Sequence, residues 1–175
     1  MIEIKNIRSE EPLYSFIENL LISAFPIQER RDIEAQRQLT NDSSIFHNNV
    51  LIANGIPIGL ITYWDMESFY YIEHFAIDAK QRCKGYGQEA LNILKKTLKA
   101  PLVLEAEVPT DEISQRRINF YQRQGFILHD IPYLQPPYRE GGSWFPLRLM
   151  TYGNINMKEQ YNTIKRKIYH HVYGQ

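Results

Sequence analysis

The segment Ile72–Leu91 passes from a strand pattern into a helix pattern through a basic turn, and this unit limits the folds open to the chain. In the turn, Gly85 and Gly87 lack Cβ atoms, so the backbone can approach a ligand closely. The first N–H groups of the following helix would point at that ligand with the positive end of the helix dipole. Arg82 and Lys84 add positive charge, so the turn predicts a pyrophosphate site. A glycine-capped turn with solvated basic residues is the alternative interpretation.

The remaining segments predict the elements around this unit. Their order predicts an α+β fold with a mixed, mostly antiparallel sheet, one parallel strand pair and flanking helices. The predicted strands are Ile2–Ile7, Val50–Ala53, Ile56–Trp64, Phe69–Ile77, Pro101–Val108, Phe126–Ile131 and Phe145–Tyr152, and the predicted helices are Leu13–Ala24, Gln28–Leu39, Gly85–Leu98, Asp111–Gln124 and a C-terminal helix.

Composition excludes several classes of protein. With 175 residues, of which 43% are hydrophobic, the chain is long enough for one folded domain. Twenty basic and twenty acidic residues give a formal net charge of zero, so no specific nucleic-acid or membrane partner is expected. Cys83 is the only cysteine, which argues against a disulfide framework and a cysteine-based metal site. No signal or membrane-spanning segment is evident, and we therefore expect a cytoplasmic protein without a metal.

Two motifs carry a resemblance to a known family. The pattern Arg82-x-x-Gly85-x-Gly87 after a strand resembles the acetyl-CoA signature of the GNAT superfamily of N-acetyltransferases. Downstream, the segment Ile118–Phe126 is similar to that family's helix-to-strand junction, in which a tyrosine precedes a Gly-Phe pair. The resemblance implies a GNAT-like fold and direct transfer of an acetyl group from acetyl-CoA to a primary amine of a small molecule or peptide.

The resemblance also implies which residues contact acetyl-CoA. The strand before the loop would pair with the pantetheine arm, and loop amides would hold the pyrophosphate. Family members often carry Asn where this chain has Ser114, so the cofactor contact at that position is altered. The implied cofactor-binding residues are Phe75, Ala76, Ile77, Arg82, Cys83, Lys84, Gly85, Tyr86, Gly87, Gln88, Ser114 and Asn119.

The reaction needs a base and an acid. An alkylamine is almost fully protonated at pH 7, so a base must remove a proton before attack. Glu73 is predicted to act as the base, directly or through water. Its alternative role is that of a structural carboxylate paired with Arg or Lys. The other candidates for the base are Glu105 and Glu107. The resemblance implies that Tyr121 protonates the departing thiolate, and its alternative role is that of an ordinary core tyrosine. Cys83 lies among basic residues, but the resemblance implies transfer without an acyl-enzyme.

The sequence leaves the acceptor and the tail open. Residues 1–152 are predicted to form the acetyltransferase domain, and 153–175 an amphipathic helix packed on the domain or on a second subunit in a homodimer. The resemblance implies that the first helices and the loop with Tyr133, Tyr138 and Trp144 set acceptor specificity, with Glu29 or Glu140 pairing to an ammonium. The alternative is that the Pro and Tyr residues only stiffen a surface loop. The alternatives are a non-catalytic acyl-CoA-binding regulatory module and an interaction protein that uses its basic tail.

Overall fold

The computed structural model describes residues 2–175; Met1, where the predicted domain of residues 1–152 begins, lies outside them. The described residues form eight strands and five α-helices. The strands are β1 (Ile2–Asn6), β2 (Phe46–Ala53), β3 (Ile56–Asp65), β4 (Tyr70–Ile77), β5 (Leu102–Glu107), β6 (Ile127–Leu128), β7 (Tyr133–Gln135) and β8 (Phe145–Tyr152), and the helices are α1 (Tyr14–Ala24), α2 (Ile33–Asp42), α3 (Tyr86–Leu98), α4 (Glu112–Arg123) and α5 (Met157–Ile168).

The strands form one sheet in the order β1-β2-β3-β4-β5-β8-β6, and β7 also pairs with β8. The chain clusters into two compact units: one holds the residues up to Asp65 with Ile72–Lys99, and the other holds Met66–Tyr71 with Ala100–Gln175. In the first unit β1 pairs antiparallel with β2, and β2 with β3; in the second, β8 pairs antiparallel with β5, β6 and β7. This arrangement confirms the predicted α+β fold.

The first unit is built on a hairpin whose two turn residues have positive φ. Asn54 (φ 51°) and Gly55 (φ 75°) join β2 to β3, the backbone that a tight hairpin turn needs. β2 also pairs antiparallel with β1. Against this sheet α1 packs its apolar stripe, so that Ile17 contributes to one core cluster with Val50 and Leu60.

The second unit combines β5, β8, α4 and the C-terminal helix. β5 and β8 pair antiparallel over six residues of each strand. α4 begins with a capping box between Asp111 and Ser114 and is followed by Gly125, whose φ of 86° reverses the chain. Helix α5 begins at an Asn156 cap and continues through a π-helical turn, Tyr169–Tyr173.

The structure corrects the predicted elements at three places, the first being the strand predicted at Val50–Ala53, which begins four residues earlier at Phe46. The predicted helix Gln28–Leu39 is a 3-10 turn, Ile27–Glu29, followed by α2 from Ile33, because this charged run has few apolar residues to hold one continuous helix. The predicted strand at 126–131 shortens to β6, and the loop after it contains β7, which pairs with β8. Within residues 2–175 no helix is long and apolar enough to cross a membrane. The division at residue 152 remains a prediction.

Candidate active site

The loop after β4 has the geometry of an anion site. Asp78 accepts a hydrogen bond from the Lys80 amide at 2.8 Å and starts a 3-10 turn, and Arg82 Nε donates to the Ile77 carbonyl at 3.1 Å. Gly85 has φ 80° and directly precedes α3, and no side chain caps the helix at this residue. The first N–H groups of α3 therefore lack an intrahelical partner at an exposed, basic loop.

The end of β4 is shaped by the strand beside it. Phe75, Ala76 and Ile77 are half-buried. A Cβ atom on Gly59 of β3 would lie 2.6 Å from the carbonyl oxygen of Ala76, so β3 needs glycine at this position. The close approach holds the backbone of the predicted pantetheine strand against its neighbour.

Glu73 is held in a buried ion pair. Its Oε1 lies 2.5 Å from Arg31 Nη1, and its Oε2 accepts a hydrogen bond from Trp64 Nε1 at 2.8 Å. The Glu73 side chain has no solvent exposure, and that of Arg31 is 11% exposed. The Arg31 guanidinium also lies 5.4 Å from the centre of the Trp64 ring. Glu73 is therefore paired with an arginine, as expected for its alternative role as a structural carboxylate. Its role as the catalytic base stays a prediction.

The residue after Glu73 is a buried, neutral histidine. His74 Nε2 donates to the Glu29 carbonyl at 2.9 Å, because a carbonyl can only accept, and Nδ1 lies 3.4 Å from Thr62 Oγ1. Burial lowers the pKa of His74 below its usual value. The ring also packs edge-on against Phe25. His74 thus ties the segment after α1 to β4.

Tyr121 lies near the end of α4 among aromatic rings. Its ring packs edge-on against Phe120 and Phe126, at centroid distances of 5.2 and 5.6 Å. The Phe126 amide donates to the Tyr121 carbonyl at 3.1 Å, so the turn through Gly125 fixes the backbone here. Burial raises the pKa of Tyr121 to about 12. Its hydroxyl is therefore protonated throughout the neutral range.

The other two predicted cofactor residues on α4 have local partners. Ser114 is 2% exposed; its Oγ accepts from the Asp111 amide, and the Ser114 amide donates to Asp111 Oδ1. Asn119 Oδ1 accepts from Gln115 Nε2 at 2.8 Å. The Ser114 hydroxyl thus caps the helix, and both cofactor contacts stay predictions.

The two carboxylates of β5 differ in their partners. Glu107 pairs with Arg117 at 2.6 Å, and both side chains are about half exposed. Glu105 accepts hydrogen bonds from the hydroxyls of Tyr133 and Tyr173, the latter at 2.7 Å. Burial and the Glu105 charge both raise the pKa of Tyr133 and of Tyr173, so both hydroxyls stay protonated. Glu105 is therefore held by two uncharged donors.

The loop expected to contact the acceptor packs its aromatic rings on the C-terminal segment. Tyr133 and Trp144 both lie 5.8 Å from Tyr169, and Tyr138 lies 4.9 Å from Tyr173, between ring centres. Tyr169 also donates to the Leu134 carbonyl. Of the two acidic residues proposed to pair with an ammonium, Glu29 lies in the 3-10 turn after α1 and Glu140 is exposed.

Comparisons with known proteins decide the family. The model of the acetyltransferase (GNAT) family matches residues 7–126, more than half of the chain. A solved GNAT-family protein from Bacteroides thetaiotaomicron is 44% identical, with 99% of each chain covered and a TM-score of 0.95. The chain belongs to the GNAT acetyltransferase family. Among curated proteins, no sequence matches it.

More distant GNAT structures share the fold. Naa50 from Arabidopsis thaliana, solved with a bisubstrate analogue of CoA, is 17% identical, with 87% of this chain and 99% of that chain covered and a TM-score of 0.61. A GNAT acetyltransferase from Elizabethkingia anophelis, solved with acetyl-CoA, is 16% identical, with 87% and 98% covered and a TM-score of 0.58. The fold and family predicted from the sequence are confirmed.

Sequence reasoning did not identify the residues that contact Glu73 and Glu105 in this GNAT protein. The sequence places Arg31 only within a segment expected to set specificity, and its pairing with Glu73 joins residues 42 positions apart. The contact between Tyr173 and Glu105 spans 68 positions. The helical spacing of Ile168 and Val172, both buried, predicts an apolar face on the C-terminal segment. It does not predict that Tyr173 of this segment contacts Glu105.

Proposed function

We propose that this GNAT protein is an N-acetyltransferase that moves an acetyl group from acetyl-CoA directly to a primary amine of a small molecule or peptide. The observation that carries the proposal is the exposed loop between β4 and α3. Gly85 leaves the start of α3 uncapped, and Arg82 and Lys84 stand beside it. Open N–H groups with two cations suit the pyrophosphate of acetyl-CoA.

In this proposal the cosubstrate is bound mainly through backbone groups. Amides from Arg82 to Gln88 hold the pyrophosphate, a range that includes Cys83, Lys84, Gly85, Tyr86 and Gly87. The backbone of Phe75, Ala76 and Ile77 pairs with the pantetheine arm, and Gly59 keeps this strand in place. Ser114 and Asn119 remain proposed contacts, although the Ser114 hydroxyl would have to serve the cofactor while capping α4.

The acyl transfer needs no acyl-enzyme intermediate. The amine nitrogen, after losing a proton to a base, attacks the thioester carbonyl carbon, and a backbone N–H near Ala76 or Ile77 stabilises the oxyanion. When this tetrahedral intermediate collapses, the C–S bond breaks and the sulfur leaves with the bonding electrons, while the former amine nitrogen gives its second proton to water and becomes a neutral amide nitrogen. Tyr121, which is protonated at neutral pH, then gives its proton to the sulfur. Cys83 forms no bond in this sequence, so Cys83→Ala should keep most of the activity.

The base is proposed among carboxylates. Glu73 is our first candidate, but proton uptake there must compete with the 2.5 Å contact to Arg31. Glu105 is the second candidate, and it accepts hydrogen bonds from the hydroxyls of Tyr133 and Tyr173. Glu107, paired with Arg117 and half exposed, ranks third.

The experiment is acceptor-dependent release of CoA thiol over a panel of primary amines. The proposal predicts turnover with at least one amine, and a decrease in kcat of about 10²- to 10⁴-fold in Tyr121→Phe with acetyl-CoA affinity unchanged. Tyr161→Phe, which also removes one tyrosine hydroxyl, is the matched control. Glu73→Gln and Glu105→Gln identify the base, since only the variant that lacks it loses the acid limb of the pH–rate profile. Acetyl-CoA binding with no turnover would instead establish the non-catalytic regulatory module.

A further inference from the structure

The loop between β6 and β8 has little regular backbone structure. Within residues 129–144, only Tyr133–Gln135 are in a strand, β7, which pairs with β8. So short a pairing fixes few of the backbone dihedral angles of the loop, and ordering the others costs conformational entropy. Side-chain contacts must therefore supply much of what holds this β6–β8 loop in place, and it is the loop expected to contact the acceptor.

One residue of the C-terminal segment contacts both ends of the β6–β8 loop. Tyr169 follows α5, and its hydroxyl donates a hydrogen bond to the Leu134 carbonyl in β7. The centre of its ring lies 5.8 Å from the ring centre of Tyr133, in the first part of the loop, and 5.8 Å from that of Trp144, at its end. Tyr169 therefore holds the two ends of the loop together.

Tyr169 is itself held in a fixed position. The helix before it buries Ile164 and Ile168, and Val172 is buried one turn later. Lys165 Nζ lies 5.2 Å from the centre of the Tyr169 ring, a favourable contact between a cation and an aromatic face. Burial raises the pKa of Tyr169 to about 12, so its hydroxyl stays protonated and can donate throughout the neutral range. Tyr169 can therefore support the loop permanently at neutral pH.

The residue that Tyr169 holds at the surface is Trp144. It is 46% exposed, whereas Trp64, the other tryptophan of the chain, is 3% exposed. An indole offers an apolar surface, an aromatic face that attracts cations and an N–H donor, so it suits contact with a molecule that carries an amine. The position of this surface depends on the contact between Trp144 and Tyr169.

We propose that Tyr169 is a positioning residue for the acceptor, because it fixes the β6–β8 loop so that Trp144 can contact the acceptor. The inference rests on the proposed function and adds the C-terminal segment to it. Tyr169 acts through Trp144 and takes no part in the bond changes. Without Tyr169 the loop would have to become ordered when the acceptor binds, and this ordering reduces affinity. The chemical step in the bound complex would keep its rate.

The first test measures the exposure of Trp144 without any acceptor. Acrylamide quenching of tryptophan fluorescence reports this exposure, and the Trp144→Phe protein gives the contribution of Trp64, which is subtracted. Tyr169→Leu, which removes the hydroxyl and the ring contacts, should raise the quenching constant of Trp144 up to about twofold, since the residue is already 46% exposed. Tyr169→Phe, which keeps the ring, should have a smaller effect. An unchanged quenching constant in Tyr169→Leu would overturn the inference.

The second test separates acceptor binding from chemistry. The acceptor used is the amine with the highest kcat/KM among spermidine, kanamycin, L-leucine and trialanine. Tyr169→Phe should raise the KM for this amine about fivefold, the ratio that one hydrogen bond supplies, and leave kcat and the acetyl-CoA shift in Tm unchanged. Tyr161→Phe is the matched control: Tyr161 lies on α5 and donates to the Pro132 carbonyl, which precedes β7, and this variant should keep the wild-type KM.

The outcomes separate this inference from the proposed function. A purely structural role of Tyr169 would lower kcat through a smaller folded fraction and leave KM unchanged, and this result would overturn the inference. An equal increase in KM in Tyr161→Phe would also overturn it, because the effect would then not depend on the contact with Trp144. Acetyl-CoA binding by the wild type without turnover of any of the four amines would refute the proposed function, and the acceptor role of Tyr169 with it.

Discussion

Removing the charge of Arg31 is expected to destabilise the protein strongly. Arg31→Met keeps an unbranched apolar side chain over Trp64 but leaves Glu73, which has no solvent exposure, without its guanidinium partner. Breaking a buried pair in this way costs about 3–5 kcal/mol of unfolding free energy, because the remaining charge is desolvated. For a chain of this length, each kcal/mol lowers Tm by about 2–4 °C, so a decrease of roughly 6–20 °C is expected.

Thermal unfolding followed by circular dichroism measures this effect. Arg37→Met is the matched control, since Arg37 pairs with Glu18 and Glu34 with a side chain that is 43% exposed, and it should cost at most about 1 kcal/mol. Adding Glu73→Gln to Arg31→Met should recover part of the loss, because no buried charge remains. A loss no larger than that of Arg37→Met would refute this account of the pair.

Three further predictions concern other contacts. Tyr173→Phe should lower stability by about 1.5–3 kcal/mol in urea unfolding, because Glu105 loses a buried donor, whereas Tyr161→Phe should cost about 1 kcal/mol; equal losses would contradict this. Gly59→Ala should cost about 1–3 kcal/mol by the same measurement, since its Cβ would meet a β4 carbonyl, and an unchanged midpoint would contradict it. Burial lowers the pKa of His74 in the folded protein. The contribution of the neutral ring to the free energy of unfolding is therefore fully present above pH 6.5 and is lost as pH falls through the folded-state pKa. NMR titration should therefore find the His74 ring neutral at pH 6.5, and a protonated ring would refute this.

The sequence predicted best where a local pattern decides the structure. The hairpin at Asn54-Gly55, helix α3 after Gly85 and the reversal at Gly125 each depend on a few adjacent residues whose backbone preferences agree with the fold. The family motifs likewise lie in short continuous segments. Local patterns were therefore enough to predict that the loop proposed to bind acetyl-CoA joins a strand to a helix and that Tyr121 lies on a helix, and both placements are confirmed.

The sequence could not predict what depends on distant pairing. A glutamate in a strand has the same local pattern whether it faces Arg31 or open solvent, so the burial of Glu73 emerges only in three dimensions. The same holds for Gln36, whose position in a charged, polar helix gives no sign that its amide is buried. β7 was missed because Pro and Tyr residues of its loop resemble an irregular segment, whereas pairing with β8 imposes the strand.

The most direct test of the central claim is the change in Tm on adding saturating acetyl-CoA to the wild-type protein and to two glycine variants. At about a hundred times its Kd, the ligand should stabilise the fold by roughly 2.7 kcal/mol. Gly85→Val and Gly55→Val both place a side chain at a left-handed position with open space around it, so both should lose intrinsic stability. We expect the acetyl-CoA shift in the wild type and in Gly55→Val, and a much smaller shift in Gly85→Val. No shift in the folded wild-type protein, or an undiminished shift in Gly85→Val, would contradict the assignment of this loop as the acetyl-CoA site.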